Sequence, residues 1–370
     1  MSHSGFATTE GTQRFSARFA STYASDQFLR DHQGLWLSSI GLGTYLGEGT
    51  EEVDRGYREA VERFVERGGN VIDTAINYRF QRSERSIGEA LDALLRSGRA
   101  ARDEIVVATK GGFIPFDAVP PSNPSQWFTR EYLDRGIVSP EDVAGGCHCM
   151  SPRYLADQIE RSRRNLGLET IDVYYVHNPE MQLEEIGRTP FRERLRDAFR
   201  ALEKAVAEGL LRAYGTATWE GYRCPPASDA HLDLEEVVAI AHEAGGADHH
   251  FRYVQLPVNL AMPEAFLVPS QGARPGASSL LEVAGRLGVT VMASASMMQG
   301  RLAQRLSTRV AEAFPGLSTN AQRAIQFTRS VPGLTVALVG MSRVEHVEEN
   351  IATARVPRTH EATLRLLYAG

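Results

Sequence analysis

The sequence has little cysteine: Cys147, Cys149 and Cys224 are the three in 370 residues, an odd number with two of them separated by a single residue. A disulfide framework is excluded as the source of stability. The Cys-His-Cys triplet at 147–149 has no second Cys/His group at a usable spacing, and structural zinc takes about four ligands, so the triplet reads as ordinary loop and no metal site is expected. Sustained basic runs are also missing, beyond short clusters such as Arg161-Ser162-Arg163-Arg164, and the formal net charge is -6. That balance argues against a nucleic-acid partner. No apolar stretch approaches the roughly 20 residues that span a bilayer, and the N-terminus lacks the basic-then-apolar layout of a signal peptide. No membrane partner is expected, and the expected location is the cytoplasm.

What is present is a regular alternation. At 42% hydrophobic and 23% charged residues, the composition suits a folded globular chain. Short apolar runs at 38–45, 70–73, 104–110, 171–177, 211–218, 252–257, 289–295 and 334–340 read as eight strands. Amphipathic patterns at 51–68, 84–97, 152–166, 191–209, 232–245, 277–287, 318–331 and 344–354 read as the helices between and after them. Ser151-Pro152 is a helix start with proline in the first turn, and Glu208-Gly209 is a glycine stop. Eight βα units with nearly continuous apolar strands predict an α/β fold, a parallel sheet covered by helices and closed into a (β/α)8 TIM barrel. The rival, a doubly wound open sheet, would carry G-x-G-x-x-G between a strand and a helix, and GLGTYLG at 41–47 has its glycines at the wrong spacing.

Two segments lie outside the repeat at its start. Residues 26–37 place a polar turn between short apolar halves, which predicts an N-terminal hairpin closing the bottom of the barrel. Residues 1–25, rich in Ser, Thr and Gly, are expected to be a loosely ordered arm, and 26–370 a single barrel domain. Between Lys110 and His177 the strand spacing stretches, leaving an insertion at 111–150 with five prolines. It follows a strand and so should lie over the mouth of the barrel, where Phe113, Phe116, Trp127, Phe128 and Tyr132 predict an ordered aromatic lid.

Chemistry in such a barrel sits at the C-terminal ends of the strands. Asp73 ends the second strand, Lys110 the third and His177 the fourth, and Tyr78 follows in the loop after Asp73, so four polar groups share one mouth. A carboxylate leaving an apolar strand needs a partner, and Lys110 is the expected one for Asp73. A phenol with a pKa near ~10 is a poor acid or base around neutrality. An adjacent ammonium is expected to lower it, with the carboxylate holding the ammonium and the histidine orienting a substrate oxygen. No nucleophile stands with a base, which disfavours covalent hydrolysis, and without a metal-ligand cluster any redox step calls for an organic cofactor.

Together these motifs resemble the aldo-keto reductase family, (β/α)8 enzymes that pass hydride between a nicotinamide cofactor and a carbonyl carbon. The resemblance runs from about residue 34 to 354. GLGTY (41–45) is similar to the family's first strand, VIDTAINY (71–78) to its Asp and Tyr motif, and VVATKGG (106–112) to its lysine strand. YYVHNPE (174–180) is similar to its histidine strand, RYVQLPVN (252–259) to its sixth strand, and VGMSRVEHVEEN (339–350) to the segment opening its last helix. The resemblance implies a catalytic tetrad of Asp73, Tyr78, Lys110 and His177. It implies a cofactor held along Gly43, Thr44 and Tyr45, at Asp73, Thr218 and Gln255, at Ser294 and Gln299, and at Ser342, Arg343, His346, Glu349 and Asn350. Tyr45, Phe113, Trp127 and Asn178 would face the substrate. The cofactor implied is NADPH, with NADH as the alternative, and the substrate is a small-molecule carbonyl compound, large or apolar if the aromatic lid covers it. No signal for an oligomeric state is present.

The pattern departs from the family in two places. Where the family has a Ser-Asn pair after strand five, this sequence has Ala217 and Thr218, and Ala217 offers no side-chain hydrogen bond. Ser294 stands where the family has an aromatic ring after strand seven, so Gln255, Trp219 or Met297 would have to compensate. At the adenosine end Gly340 and Met341 replace a Lys-Ser pair, Ser342 and Arg343 follow, and His346 replaces a later Arg; an arginine beside a helix N-terminus is a reasonable phosphate site. Three functions follow in order. The first is reduction of an aldehyde or ketone with Tyr78 as general acid, the second a redox-neutral cyclisation, dehydration or isomerisation at the same groups, and the third a non-catalytic regulatory protein on the reductase fold.

Overall fold

Strands buried along most of their length form the centre of the molecule, whose computed structural model describes residues 2–23, 28–272 and 276–369. A hairpin of β1 (Leu29–His32) and β2 (Leu35–Ser38) precedes the barrel strands β3 (Ile40–Gly43), β4 (Val71–Asp73), β5 (Val106–Gly111) and β6 (Ile171–His177). These are followed by β7 (Leu211–Ala217), β8 (Phe251–Pro257), β9 (Thr290–Ser294) and β10 (Val336–Gly340). Strands β3 to β10 are parallel and close on themselves, β10 pairing with β3. The (β/α)8 barrel is therefore the fold. All eight expected helical stretches are occupied by helix, with ends displaced by a few residues.

The period of two along a strand decides what points into the barrel. Val71, Val106, Ala108, Val173, Tyr175, Tyr253, Met292, Val336 and Leu338 form one interior cluster, with Leu37 of the hairpin packed into it. Their neighbours Ile72, Val107, Tyr174, Val176, Val254 and Val291 pack with helix residues in the outer layer. Two residues beyond an interior position lies the next interior position. Asp73 thus follows Val71, Lys110 follows Ala108, His177 follows Tyr175 and Gln255 follows Tyr253, all on the inside at the C-terminal ends.

The hairpin expected from residues 26–37 is present over its described part, and residues 24–27 lie outside the described residues. Its two-residue loop, Gln33-Gly34, has both φ angles positive, 52° and 83°, the twist that a tight hairpin prefers. Asn70 fastens it to the barrel, accepting from Ser38 N at 2.9 Å and donating to Trp36 O at 2.8 Å. The expected first strand, 38–45, is split: Ser38 ends the hairpin, and only Ile40–Gly43 joins the barrel.

The loosely ordered arm is a correction. Within residues 1–25, of which 1, 24 and 25 lie outside the described residues, Thr9–Phe19 is an α-helix. Thr8 caps it by accepting from Gly11 N. Phe15 is fully buried and Phe15 and Phe19 stack at 5.1 Å, one helical turn apart. Arg14 and Arg18 both pair with buried Glu104. The Ser/Thr/Gly content that suggests looseness is used for the cap and for close approach: a Cβ on Gly11 would lie 2.1 Å from Asp103 O.

The insertion at 111–150 is closed at its neck, where Ile114 N donates to Cys147 O and Cys149 N to Gly112 O, each at 2.8 Å. Inside it a short helix, Pro124–Phe128, runs into a wider turn, Thr129–Leu133. Among the described residues no helix is long and apolar enough to cross a membrane.

Truncating Phe15 leaves a large hole under the N-terminal helix. Phe15→Ala should cost about 3–5 kcal/mol of unfolding free energy in urea titrations, and a loss below ~1 kcal/mol would mean that the helix is not docked as described.

Candidate active site

Gln255, Asp73 and Lys110 form a hydrogen-bonded row inside the top of the barrel. Lys110 Nζ donates to Asp73 Oδ2 at 2.7 Å and to Thr74 O at 2.7 Å, and Gln255 Nε2 donates to Asp73 Oδ1 at 2.7 Å. All three side chains are buried. A buried ion pair is tolerated when its remaining lone pairs and protons are met, and here both carboxylate oxygens are engaged. Burial pushes the Lys110 ammonium down, but Asp73 and Tyr78 more than offset it, so its pKa is raised and it stays charged.

Tyr78 lies with its ring 4.9 Å from Lys110 Nζ. The expected lowering of its pKa is corrected here. Burial raises it, Lys110 lowers it by less, and Asp73 raises it further. Lys110 does favour phenolate, but burial of the phenol outweighs it and Asp73 offsets part of its pull. The phenol is a protonated donor at neutrality. His177, whose ring lies 5.9 Å from that of Tyr78 at 76°, is held well below the ordinary histidine range by burial, with Lys110 and His148 adding to it. It is a neutral imidazole, and its Nδ1 is buried with no partner.

The loop that carries Tyr78 is strained. Arg79, Phe80 and Gln81 have φ of 50°, 58° and 70°, a left-handed run that ordinary residues avoid at a cost of order 1–3 kcal/mol each. It is held by Arg79, whose Nε and Nη2 donate to Glu48 O at 3.0 and 2.9 Å and whose guanidinium pairs with Asp54. Gln81 Nε2 and Phe116 O add a bond at 3.2 Å.

A cavity of about 780 Å³ opens over this row and continues as a groove toward the helix Val344–Ala352. Asp73, Tyr78 and His177 border it, while Lys110 lies beneath. Gly43, Thr44, Tyr45, Thr218, Gln255 and Ser294 also line it. Gln299 lies beyond them, and Ser342, His346, Glu349 and Asn350 line the far end. Phe113 and Asn178 stand at the mouth with Trp219, which is 40% exposed.

Two expected residues are not brought there. Trp127 stacks on Phe116 at 5.0 Å and on Tyr132 at 5.5 Å, in a small core with Tyr154 of the helix Pro152–Leu166. Among the insertion's described residues Phe113 alone lines the cavity, because the other aromatic rings satisfy one another rather than hanging over the opening. Arg343 is exposed outside the lining and donates to His346 Nε2 at 3.1 Å. Gln255, expected at a cofactor amide, is bound to Asp73.

Three residues at the site were not anticipated. Asn77 borders the cavity with an unpartnered buried Oδ1. His148, in the Cys-His-Cys triplet, is hydrogen-bonded to His177 O at 2.6 Å. Glu180 Oε1 accepts from Trp219 N at 2.7 Å and Glu220 N at 3.2 Å, fixing the loop after β7, while its Oε2 has no partner. Burial pushes Glu180 up to about 7 against the pull of those N–H groups. For His148 and Glu180 the partners lie far along the chain, so no local pattern marks them.

Comparison with known proteins gives a consistent result. A model of the aldo/keto reductase family matches residues 39–313. An NADH-specific methylglyoxal reductase from Escherichia coli is 27% identical over 188 residues, 49% of this chain and 48% of that protein. A D-threo-aldose 1-dehydrogenase from Pseudomonas is 32% identical over 148 residues, 40% and 39% of the two chains. The match thus spans about half the length, or less, of these two relatives. An aldo/keto reductase from Klebsiella pneumoniae, solved with NADP and acetate, superposes with a TM-score of 0.59 at 21% identity over 92% of this chain and 94% of that one, a likeness of fold.

Glu180 makes stability depend on pH in a definite sense. Below its ordinary value of 4.5 both folded and unfolded chains hold the proton; as pH rises toward about 7 the unfolded chain ionises while the folded one does not, and stability falls. The loss is on the order of 3 kcal/mol and is complete above about 7. Glu180→Gln, which keeps an acceptor for Trp219 N, should remove that slope in urea unfolding across the range and be the more stable protein at about pH 8. An unchanged slope would assign it to another group.

Proposed function

The chain belongs to the aldo/keto reductase family, and from that membership we propose that it reduces an aldehyde or ketone to the alcohol, with NADPH as hydride donor and Tyr78 as proton donor. The observation that carries the reading is the row Gln255, Asp73, Lys110 and Tyr78 ending beside neutral His177 in one cavity. A protonated phenol close to a fixed cation is suited to deliver a proton as charge develops on a carbonyl oxygen. Lys110 stabilises the phenolate left behind, Asp73 holds Lys110, and the His177 imidazole meets the oxygen without bringing a charge of its own.

A bound nicotinamide supplies the hydride. The groove suits a dinucleotide because Thr218 Oγ1, buried in its lining, lacks a partner, and Asn350 and Glu349 border its far end. In this reading Thr218 and Gln255 Oε1 hold the carboxamide, Glu349 and Asn350 hold adenine, and Ser342 and His346 border the place of a 2′-phosphate, with Arg343 outside the lining and hydrogen-bonded to His346. NADH is the alternative donor. Among the described residues no Arg or Lys lines the cavity, while Tyr45, Leu46, Phe113 and Trp219 border it, which favours an uncharged carbonyl compound with an apolar body.

A second reading, redox-neutral cyclisation, dehydration or isomerisation by the same acid/base groups, is favoured by Ala217 and Ser294 on the cavity wall, which give the nicotinamide neither a Ser hydroxyl nor a stacking ring. Fluorescence titration with NADPH and NADH, followed by a carbonyl panel against the bound reduced cofactor, separates the two. Product formed without loss of nicotinamide absorbance supports the second.

Tyr78→Phe should lower kcat for carbonyl reduction by about 10²–10⁴-fold and leave cofactor Kd within about twofold; undiminished turnover would remove Tyr78 as the donor. Because the Tyr78 pKa is raised above 10.0, the alkaline limb of the reductive rate should lie above that value. A wild-type limb well below it would assign the proton to another group.

A further inference from the structure

We propose that His148, in the insertion, is a positioning residue for the carbonyl site: its ring clamps the neck of the insertion to the backbone of His177 and thereby fixes the His177 imidazole and the Phe113 ring where they meet the substrate oxygen. The proposal rests on the carbonyl-reductase reading. It concerns a residue that touches neither substrate nor cofactor.

His148 Nε2 lies 2.6 Å from His177 O. A carbonyl can only accept, so Nε2 carries the proton and Nδ1 is the acceptor. Gln182 Nε2 shares its two hydrogens among three acceptors, that Nδ1 at 3.1 Å, His148 O at 3.0 Å and Asp142 O at 3.2 Å. The Gln182 amide is itself oriented, since its Oε1 accepts from the Arg194 guanidinium, which donates to Glu141 O at 3.0 Å. Every polar atom of the His148 ring is met, and burial holds the ring neutral with a pKa of about 4. A neutral ring of fixed tautomer is a rigid link between the insertion and β6.

The link matters because among the described residues no hydrogen bond to the His177 ring is found, and its Nδ1 is buried without a partner. Its position depends on its own backbone, which His148 holds, and on ring contacts. Phe113 supplies one of these, 4.9 Å from His177 at 88°, and also meets the His148 ring at 5.5 Å and 89°. Gly112 lets the three approach, since a Cβ there would lie 2.6 Å from His177 O and 2.8 Å from His148 Nε2. Reacting groups tolerate little misplacement, an error of about 1 Å costing up to ~10²-fold in rate.

The test compares two variants of the full chain. His148→Phe keeps the shape of a ring and loses the donor, whereas the Nε2 of Gln in His148→Gln can reach the same carbonyl. At saturating cofactor kcat should fall about tenfold or more in His148→Phe, with cofactor Kd unchanged, and His148→Gln should recover most of it. Kcat per folded site equal to wild type in both variants overturns the proposal. If the wild-type chain reduces no carbonyl compound, the reductase reading has failed, and nitrogen NMR of labelled histidines then decides the present inference. His177 ring signals that shift in His148→Phe and return in His148→Gln support it, and unmoved signals overturn it. Should His148→Phe not fold, the wild-type spectrum decides: a proton on His148 Nε2 supports the clamp, and one on Nδ1 overturns it.

Discussion

The ion pair between Lys110 and Asp73 is the interaction on which the site depends. An ammonium withdrawn from water costs several kcal/mol after relaxation, and removing one partner of a buried pair costs about 3–5 kcal/mol because the other is left uncompensated. The barrel makes the pair possible. Asp73 lies opposite Ala108 in the β4–β5 register, and Lys110 is the next interior position above Ala108. A slip of one residue in either strand would turn its charged group out toward the helices, where the layer is apolar. The hydrogen bonds from Gln255 and to Thr74 O complete the arrangement, so β8 also has a stake in the charge.

This pair sets the state of everything around it. Because Asp73 answers the charge on Lys110, the ammonium perturbs its neighbours less than an isolated one would, and burial dominates at Tyr78 and His177. The outcome is a protonated phenol and a neutral imidazole, with one fixed cation below them. Under the proposed reduction, such a site needs no proton redistribution before it meets a neutral carbonyl compound. The strained run Arg79–Gln81 belongs to the same logic: an uncommon backbone path is sustained by the Arg79 bonds to Glu48 O and the ion pair with Asp54. The path delivers Tyr78 five residues after a strand end.

Much of the fold was legible because two periodicities were visible at once, two in the strands and near 3.6 in the helices, and eight repeats leave few closed solutions. The interior placement of Asp73, Lys110, His177 and Gln255 follows from the same counting. Other features were hidden for physical reasons. Trp127 has the composition of a lid residue, but which face an aromatic ring covers depends on its partners, and Phe116 and Tyr132 are better ones than open solvent over a cavity. The N-terminal helix carried a readable signal, a threonine cap and two phenylalanines at helical spacing, masked by small polar residues. The pKa of Tyr78 was read from one neighbouring charge, whereas burial and Asp73 act in the opposite direction. His148 and Glu180 act through backbone atoms 29 and 39 residues away, and no local motif encodes such a partner.

Three of the unmet polar atoms at the site share a location. Thr218 Oγ1, Asn77 Oδ1 and His177 Nδ1 are each buried without a partner, and all three residues border the same cavity. An unsatisfied buried group costs about 1–3 kcal/mol, yet the protein elsewhere satisfies far more demanding atoms at this site, down to both oxygens of Asp73 and both nitrogens of His148. A chain that can meet those needs a few ångströms away leaves these three open at a cost that a ligand with matching donors and acceptors removes. The hydrogen-bonded groups around Lys110 and His148 are thus the rigid part of the site, and the open atoms are where binding free energy is still to be gained.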